Sequence, residues 1–199
     1  MNRMIKWLVG KMVQCGACTA DDTDVMCYGL DLLFSSALLI PVLLTAGCAA
    51  GHGISTFLLL AATLPLQSFG GGYHCQTHLR CYLLTTLDML AALACSLLLS
   101  TAFLLGCALA SGFFIFKLAP VEHPNAPFGL DFRAKMKKIV RLSYCLETGL
   151  SALLILCNAQ NFARPILAAV SLSALSILSA YTKEWSAGYS FKHKKATPS

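Results

Sequence analysis

Between Cys81 and Leu118 the chain is apolar for nearly forty residues. As one straight helix, at about 1.5 Å per residue, this run would reach close to twice the hydrocarbon thickness of a bilayer. It therefore reads as two antiparallel spans, 79–97 and 101–118, with a tight turn near residues 98–100. A soluble domain usually carries about a quarter charged residues, whereas this chain is 12% charged and 57% hydrophobic. The expected fold is all-α, a polytopic membrane protein forming a single integral-membrane domain over residues 1–199. No cleavable signal pattern opens the chain, which argues against a secreted protein. The formal net charge of +6 flanks apolar segments instead of forming one polar domain, so no nucleic-acid partner is expected.

The remaining spans follow from the same pattern. Residues 2–14 plot as a helix with Met4, Ile5, Leu8, Val9, Met12 and Val13 on one face and Asn2, Arg3, Lys6 and Gln14 on the other. That is the pattern of an interfacial amphipathic helix on anionic headgroups. A first span is expected over 28–50, kinked at Pro41, and a second over 54–66, short unless it extends through Phe69 or sits beside protein, with Pro65 marking its weakening end. A polar loop, 119–131, leads to a basic helix, 132–141, in which Arg133, Lys135, Lys137, Lys138 and Arg141 surround an apolar stripe. A fifth span over 142–157, a sixth over 165–181 and a basic, mobile tail over 183–199 complete the chain. With six spans and a cytoplasmic N-terminus, every one of the fifteen Lys and Arg residues except Arg164 falls inside. This is the positive-inside distribution of a cell membrane protein with both termini in the cytoplasm. The ten cysteines do not form a disulfide framework, and Cys48, Cys95, Cys107 and Cys157 read as small buried hydrophobes. Cys15 and Cys18 form a lone CxxC without the second pair that a zinc ribbon requires.

Catalytic residue types gather in one stretch, Gly70-Gly71-Gly72-Tyr73-His74-Cys75-Gln76-Thr77-His78-Leu79-Arg80-Cys81. The topology places it on the cytoplasmic side, where thiols stay reduced. A cysteine is nucleophilic as the thiolate, and histidine is the usual activating base. His78 lies one helical turn before Cys81; His74 reaches it only if the glycines let a loop fold back over the helix start. Residue physics leaves both histidines open. Cys81 in a first helical turn gains from the positive end of the helix dipole. Backbone N–H groups near Gly71 and Gly72 are candidates to hold an oxyanion. Asp88, seven residues past Cys81, is an acidic residue inside a span, with structural pairing or site positioning as its roles. Glu147 is expected to pair with a nearby Lys or Arg, and the 135–141 cluster to meet anionic lipid.

The pattern Gly71-Gly72-Tyr73-His74, with Cys81 seven residues after the histidine, resembles the core motif of the accessory gene regulator protein B family. These are integral-membrane cysteine endopeptidases of bacterial quorum sensing. The stretch Ala119-Pro120-Val121-Glu122-His123-Pro124-Asn125-Ala126-Pro127 is similar to the family's proline- and asparagine-containing cytoplasmic loop. The resemblance covers nearly the whole chain. It implies His74 and Cys81 as the catalytic pair, with His78 and Cys75 as bystanders. It also implies cleavage of the C-terminal part of a precursor peptide with an amphipathic leader. Cys81 would carry an acyl-thioester, and a thiol or hydroxyl within the peptide would close it to a thiolactone or lactone. A homodimer is implied, and no cofactor. The family commonly carries an arginine seven residues before the motif histidine; here that position is Gln67, and Arg80 is a candidate substitute. Gln67, Gly71, Gly72, Arg80, Asp88, Pro120, Asn125 and Pro127 are therefore the candidate substrate-binding residues.

Two other classes fit parts of the sequence. A small transporter or metal-handling protein would use His74, His78, Cys75 and Cys81 as ligands, since imidazole and thiolate suit zinc or copper. A membrane adaptor without catalysis would bind partners through the basic loop and tail.

Overall fold

The computed structural model describes residues 2–17, 23–71, 78–121 and 130–195; among these are seven helices and no strand. They are α1 (Asn2–Gln14), α2 (Thr23–Ala49), α3 (Gly53–Gly70), α4 (His78–Leu98), α5 (Thr101–Leu118), α6 (Leu130–Leu156) and α7 (Gln160–Lys195). The long apolar run breaks where expected, between Leu98 and Thr101. Ser100 caps α5 by accepting a hydrogen bond from the Phe103 N–H at 3.3 Å.

The bundle is organised around α7. It packs against α3, α4, α5 and α6, and buries Ala163, Ile166, Leu167, Val170, Ala174 and Ile177. The alanines on this helix let neighbouring backbones approach closely, the packing solution where lipid supplies no hydrophobic drive. Polarity is inverted relative to a soluble protein. Leu38, Phe57, Leu87, Phe113, Leu150 and Leu175 point outward, while Thr56, Thr63, Ser96, Ser111 and Ser151 are buried. Each of these hydroxyls donates to a backbone carbonyl three or four residues back, whereas the buried Ser173 hydroxyl on α7 has no hydrogen-bond partner among the described residues.

Four helical segments are long and apolar enough to cross a membrane: Gly53–Gly70, Thr101–Leu118, Arg133–Leu156 and Gln160–Thr182. Two further apolar segments, Ala37–Ala49 and Tyr82–Leu98, are shorter among the described residues. Several expectations change in detail. Helix α3 takes the longer of its expected extents and runs past Pro65 to Gly70, because Leu66 and Gly70 are buried in the bundle and packing carries the helix beyond the missing N–H. The basic helix and the fifth span are one continuous helix, α6, since nothing between Arg141 and Leu142 breaks it. The tail expected to be mobile is helical to Lys195. Cys48, Cys95 and Cys157 lie on outward surfaces instead of in the core, and Cys107 is half-buried.

Helix α1 forms over the expected residues, with Arg3, Lys6, Lys11 and Gln14 exposed. Part of its apolar face is already covered by protein. Ile5 and Val9 are buried and the helix packs against α2, while Met4 and Trp7 stay exposed. Glu147 on α6 also departs from expectation: both carboxylate oxygens are buried without a hydrogen-bond partner among the described residues. At the α5 and α7 starts, Thr101 Oγ1 donates to Gln160 Oε1 at 2.9 Å and receives the Arg164 Nε–H at 3.2 Å. The one cation outside the expected cytoplasmic segments is thus tied into a joint between two helix ends.

Candidate active site

The motif leaves α3 at Gly70 and enters α4 at His78. Gly70 is buried among three elements: a Cβ placed there would stand 3.1 Å from Ile177 Cδ1 on α7 and 3.6 Å from Val140 Cγ1 on α6. Gly71 ends the helix by donating its N–H to the Gln67 carbonyl at 3.1 Å. It does so at φ +76° and ψ 170°, a conformation open to glycine and strained for a residue with a Cβ. The chain therefore turns sharply three residues before His74. Cys81 is the fourth residue of α4, inside the first-turn region where the helix dipole favours an anion.

The second motif loop begins beside the first. Helix α5 ends at Leu118, and the Ala119 N–H donates to the Ile115 carbonyl at 3.2 Å. Pro120 is buried. The Val121 N–H then donates to the Gly70 carbonyl at 3.0 Å. Next to it, the Val121 carbonyl oxygen would stand 2.5 Å from any Cβ at Gly71. Arg141 holds this corner from α6: its Nη2 donates to the Phe116 carbonyl at 2.9 Å and its guanidinium lies 5.1 Å from the Phe116 ring centre. One member of the basic cluster thus closes the end of α5 instead of facing lipid headgroups.

The structure brings Gln67, Gly71 and Pro120 to one end of the bundle. Arg80 is exposed in the first turn of α4, and Asp88 is half-buried seven residues beyond Cys81 on the same helix. Gly72, His74, Cys75, Asn125 and Pro127, together with the side chains of His78 and Cys81, lie outside the described residues. Val121 is the residue that sequence reading passed over. It carries no chemistry of its own, and the only signal was its place between Pro120 and the rest of the loop.

A family model, Accessory gene regulator B, matches residues 1–177, well over half the chain. The chain belongs to this family. As an accessory gene regulator B protein it takes part in processing a quorum-sensing precursor peptide, and its apolar helices make it a membrane protein. The match takes in both the motif and the proline-rich loop. It ends at Ile177, so the last stretch of α7 runs beyond it. No curated protein and no solved structure matches the chain.

Proposed function

We propose that this accessory gene regulator B protein is a membrane-embedded cysteine endopeptidase and cyclising acyl-transferase, with His74 and Cys81 as its catalytic pair. The observation that carries the reading is the position of Cys81 in the opening of α4, the helix that follows the Gly71 end of α3 in sequence, in a chain of a peptide-processing family. His74 takes the thiol proton. The Cys81 thiolate attacks the scissile carbonyl, the C–N bond breaks, and His74 returns the proton to the departing amine. The C-terminal part of the precursor leaves, and the rest stays as an acyl-thioester on Cys81. A thiol or hydroxyl within the peptide then attacks that thioester. A thiolactone or lactone forms and the Cys81 thiol is regenerated, so no water is consumed in the ring-closing route.

The site operates on the cytoplasmic side of the bacterial cell membrane, in a bundle of six spans. The two apolar segments that are short among the described residues supply the spans beyond the four long ones. The exposed edge of α1, with Met4 and Trp7 beside Arg3 and Lys6, rests on anionic headgroups. It meets there a precursor whose amphipathic leader lies on the same surface. The active form is a homodimer. Gln67, Gly71, Gly72, Arg80, Asp88, Pro120, Asn125 and Pro127 line or support the peptide's path.

Intact-mass measurement tests the reaction class. The membrane-reconstituted protein is incubated with a precursor carrying an amphipathic leader, an internal Cys or Ser and an acidic C-terminal part. A hydroxylamine-sensitive adduct in the wild type and none in Cys81→Ala is expected. Cleavage that persists in Cys81→Ala would overturn the assignment. Metal retained by His74, His78 and Cys75 with no adduct in the wild type would point to metal handling instead.

A further inference from the structure

We infer that the Val121 backbone is a positioning element of the active site: by binding the Gly70 carbonyl and filling the space beside Gly71, it fixes where the motif leaves α3 and so the approach of His74 to Cys81. This rests on the His74–Cys81 reading.

Three observations carry it. First, the contact is long-range and made by backbone on both sides. The Val121 N–H donates to the Gly70 carbonyl at 3.0 Å, across about fifty residues of sequence. Second, no side chain fits in the joint. The Val121 carbonyl oxygen stands 2.5 Å from where a Gly71 Cβ would be, closer than real Cβ atoms approach backbone, and Gly71 also holds φ +76°. Third, the joint is seated on the rigid part of the bundle. Gly70 lies against Ile177 and Val140, Val121 packs against the core, and Arg141 closes the end of α5 just before it.

The consequence follows from chain length. Six residues, 72–77, separate Gly71 from His78, where α4 begins, and His74 is the third of them. A segment that short reaches at most about 3.5 Å per residue. The anchor at Gly71 therefore bounds the positions that His74, three residues on, can reach. A change of a few ångströms there is of the size that costs about 100-fold in reactions depending on near-attack geometry. The clasp also ties the start of the proline-rich loop to the start of the motif, which gives the two family motifs a shared mechanical origin. Gly71 is then a positioning residue, a role distinct from direct contact with the peptide.

Alkylation of Cys81 by iodoacetamide reads this out without any precursor. The full-length protein is purified in detergent as a monodisperse species, and the pH 7 rate at Cys81 is compared by peptide mapping with that at exposed Cys15 in the same sample. Gly71→Ala inserts the colliding Cβ, and Val121→Pro removes the donor. Gly106→Ala, which meets nothing within 4 Å, is the control. The wild type and Gly106→Ala are expected to alkylate Cys81 at least about tenfold faster than Cys15. Gly71→Ala and Val121→Pro should each bring the ratio to within about threefold of one, with the pH midpoint of Cys81 alkylation moving up toward about 8.5, the value of an unassisted thiol. Gly71→Ala should also lower the thermal unfolding midpoint, so Gly47→Ala, whose Cβ meets the Thr56 side chain at the other end of α3, serves as the destabilised control and should keep the wild-type ratio. A ratio within twofold of wild type in either Gly71→Ala or Val121→Pro overturns the inference. So does an equal fall of the ratio in Gly47→Ala, because the ratio then reports the stability of the fold in general. A wild-type ratio near one instead overturns the cysteine–histidine reading itself.

Discussion

Helix α3 has a glycine in the left-handed region just beyond each end, and the two do different things. At the N-terminal side, Gly51 (φ +78°) closes the turn from α2. Its own N–H donates to the Cys48 carbonyl at 3.0 Å, and the His52 N–H donates to the Gly47 carbonyl at 2.8 Å. These are the two bonds of a Schellman ending, and both partners lie within five residues. A Cβ at Gly51 would meet nothing within 4 Å. At the C-terminal side, Gly71 (φ +76°) makes one local bond and then runs into the Val121 backbone. The first glycine answers a local demand of the chain. The second answers a demand set by a distant loop. Nearly equal φ angles conceal this, and the neighbours of the missing Cβ reveal it.

The sharpest test of the contrast is chemical. If the Gly71 end is the catalytic end, His74→Ala should slow thioester formation on Cys81 by about 100-fold or more, the scale of a lost general base. His78→Ala should stay within about threefold. Equal losses from the two would leave the choice between the histidines where residue physics alone left it. At the other end of α3 the expected effects are on stability. A Cβ on Gly47 would collide with the Thr56 side chain, which donates to the His52 carbonyl at 3.0 Å. Gly47→Ala should therefore cost about 1–3 kcal/mol, the range for overpacking, measured by reversible unfolding in mixed micelles. Cys81 alkylation per folded molecule should not change. A loss of Cys81 reactivity in Gly47→Ala would erase the distinction between the two ends.

The same contrast explains what the sequence could reveal. Helix positions were legible because apolar length and breaker residues are local signals: the break at Leu99–Ser100 and the start of α3 at Gly53 both follow from composition. The Cys81 position on a helix start was legible for the same reason. What local signals could not carry was partnership. Ile5 and Val9 have the spacing of a lipid-facing stripe, yet both are buried on the side of α1 that packs on protein. Amphipathic periodicity shows that a face is apolar without naming what covers it. Arg141 sits in a run of cations and is used to hold the Phe116 carbonyl. Glu147 was expected to find a cation on the same grounds, and its oxygens have none among the described residues. Pro65 marks a weakening end and leaves two extents open, and the packing of Leu66 and Gly70 selects the longer one. Val121 stayed invisible because its contribution is backbone, which every residue has.

The smallest expected effect is also the cleanest check on the comparison, because it isolates backbone strain from contact. Gly51→Ala adds a Cβ into open space, so its only penalty is the left-handed conformation, about 1 kcal/mol. Gly51→Asn should cost roughly half of that, since asparagine tolerates this region through its short polar side chain. The protein itself supplies the precedent. Helix α6 ends in the same bond pattern, with the Asn158 N–H on the Ile155 carbonyl at 3.0 Å and the Ala159 N–H on the Leu154 carbonyl at 2.8 Å, and its left-handed residue is Asn158 at φ +57°. At Gly71 strain and contact act together, because ψ 170° lies in a region that essentially only glycine occupies and asparagine gains nothing there over alanine. The collision with the Val121 oxygen adds to that strain, so Gly71→Asn and Gly71→Ala should be equally damaging to Cys81 reactivity. Asparagine rescuing position 51 and failing at position 71 would separate a left-handed helix end that asparagine can adopt from a glycine-only exit that another loop must also fit.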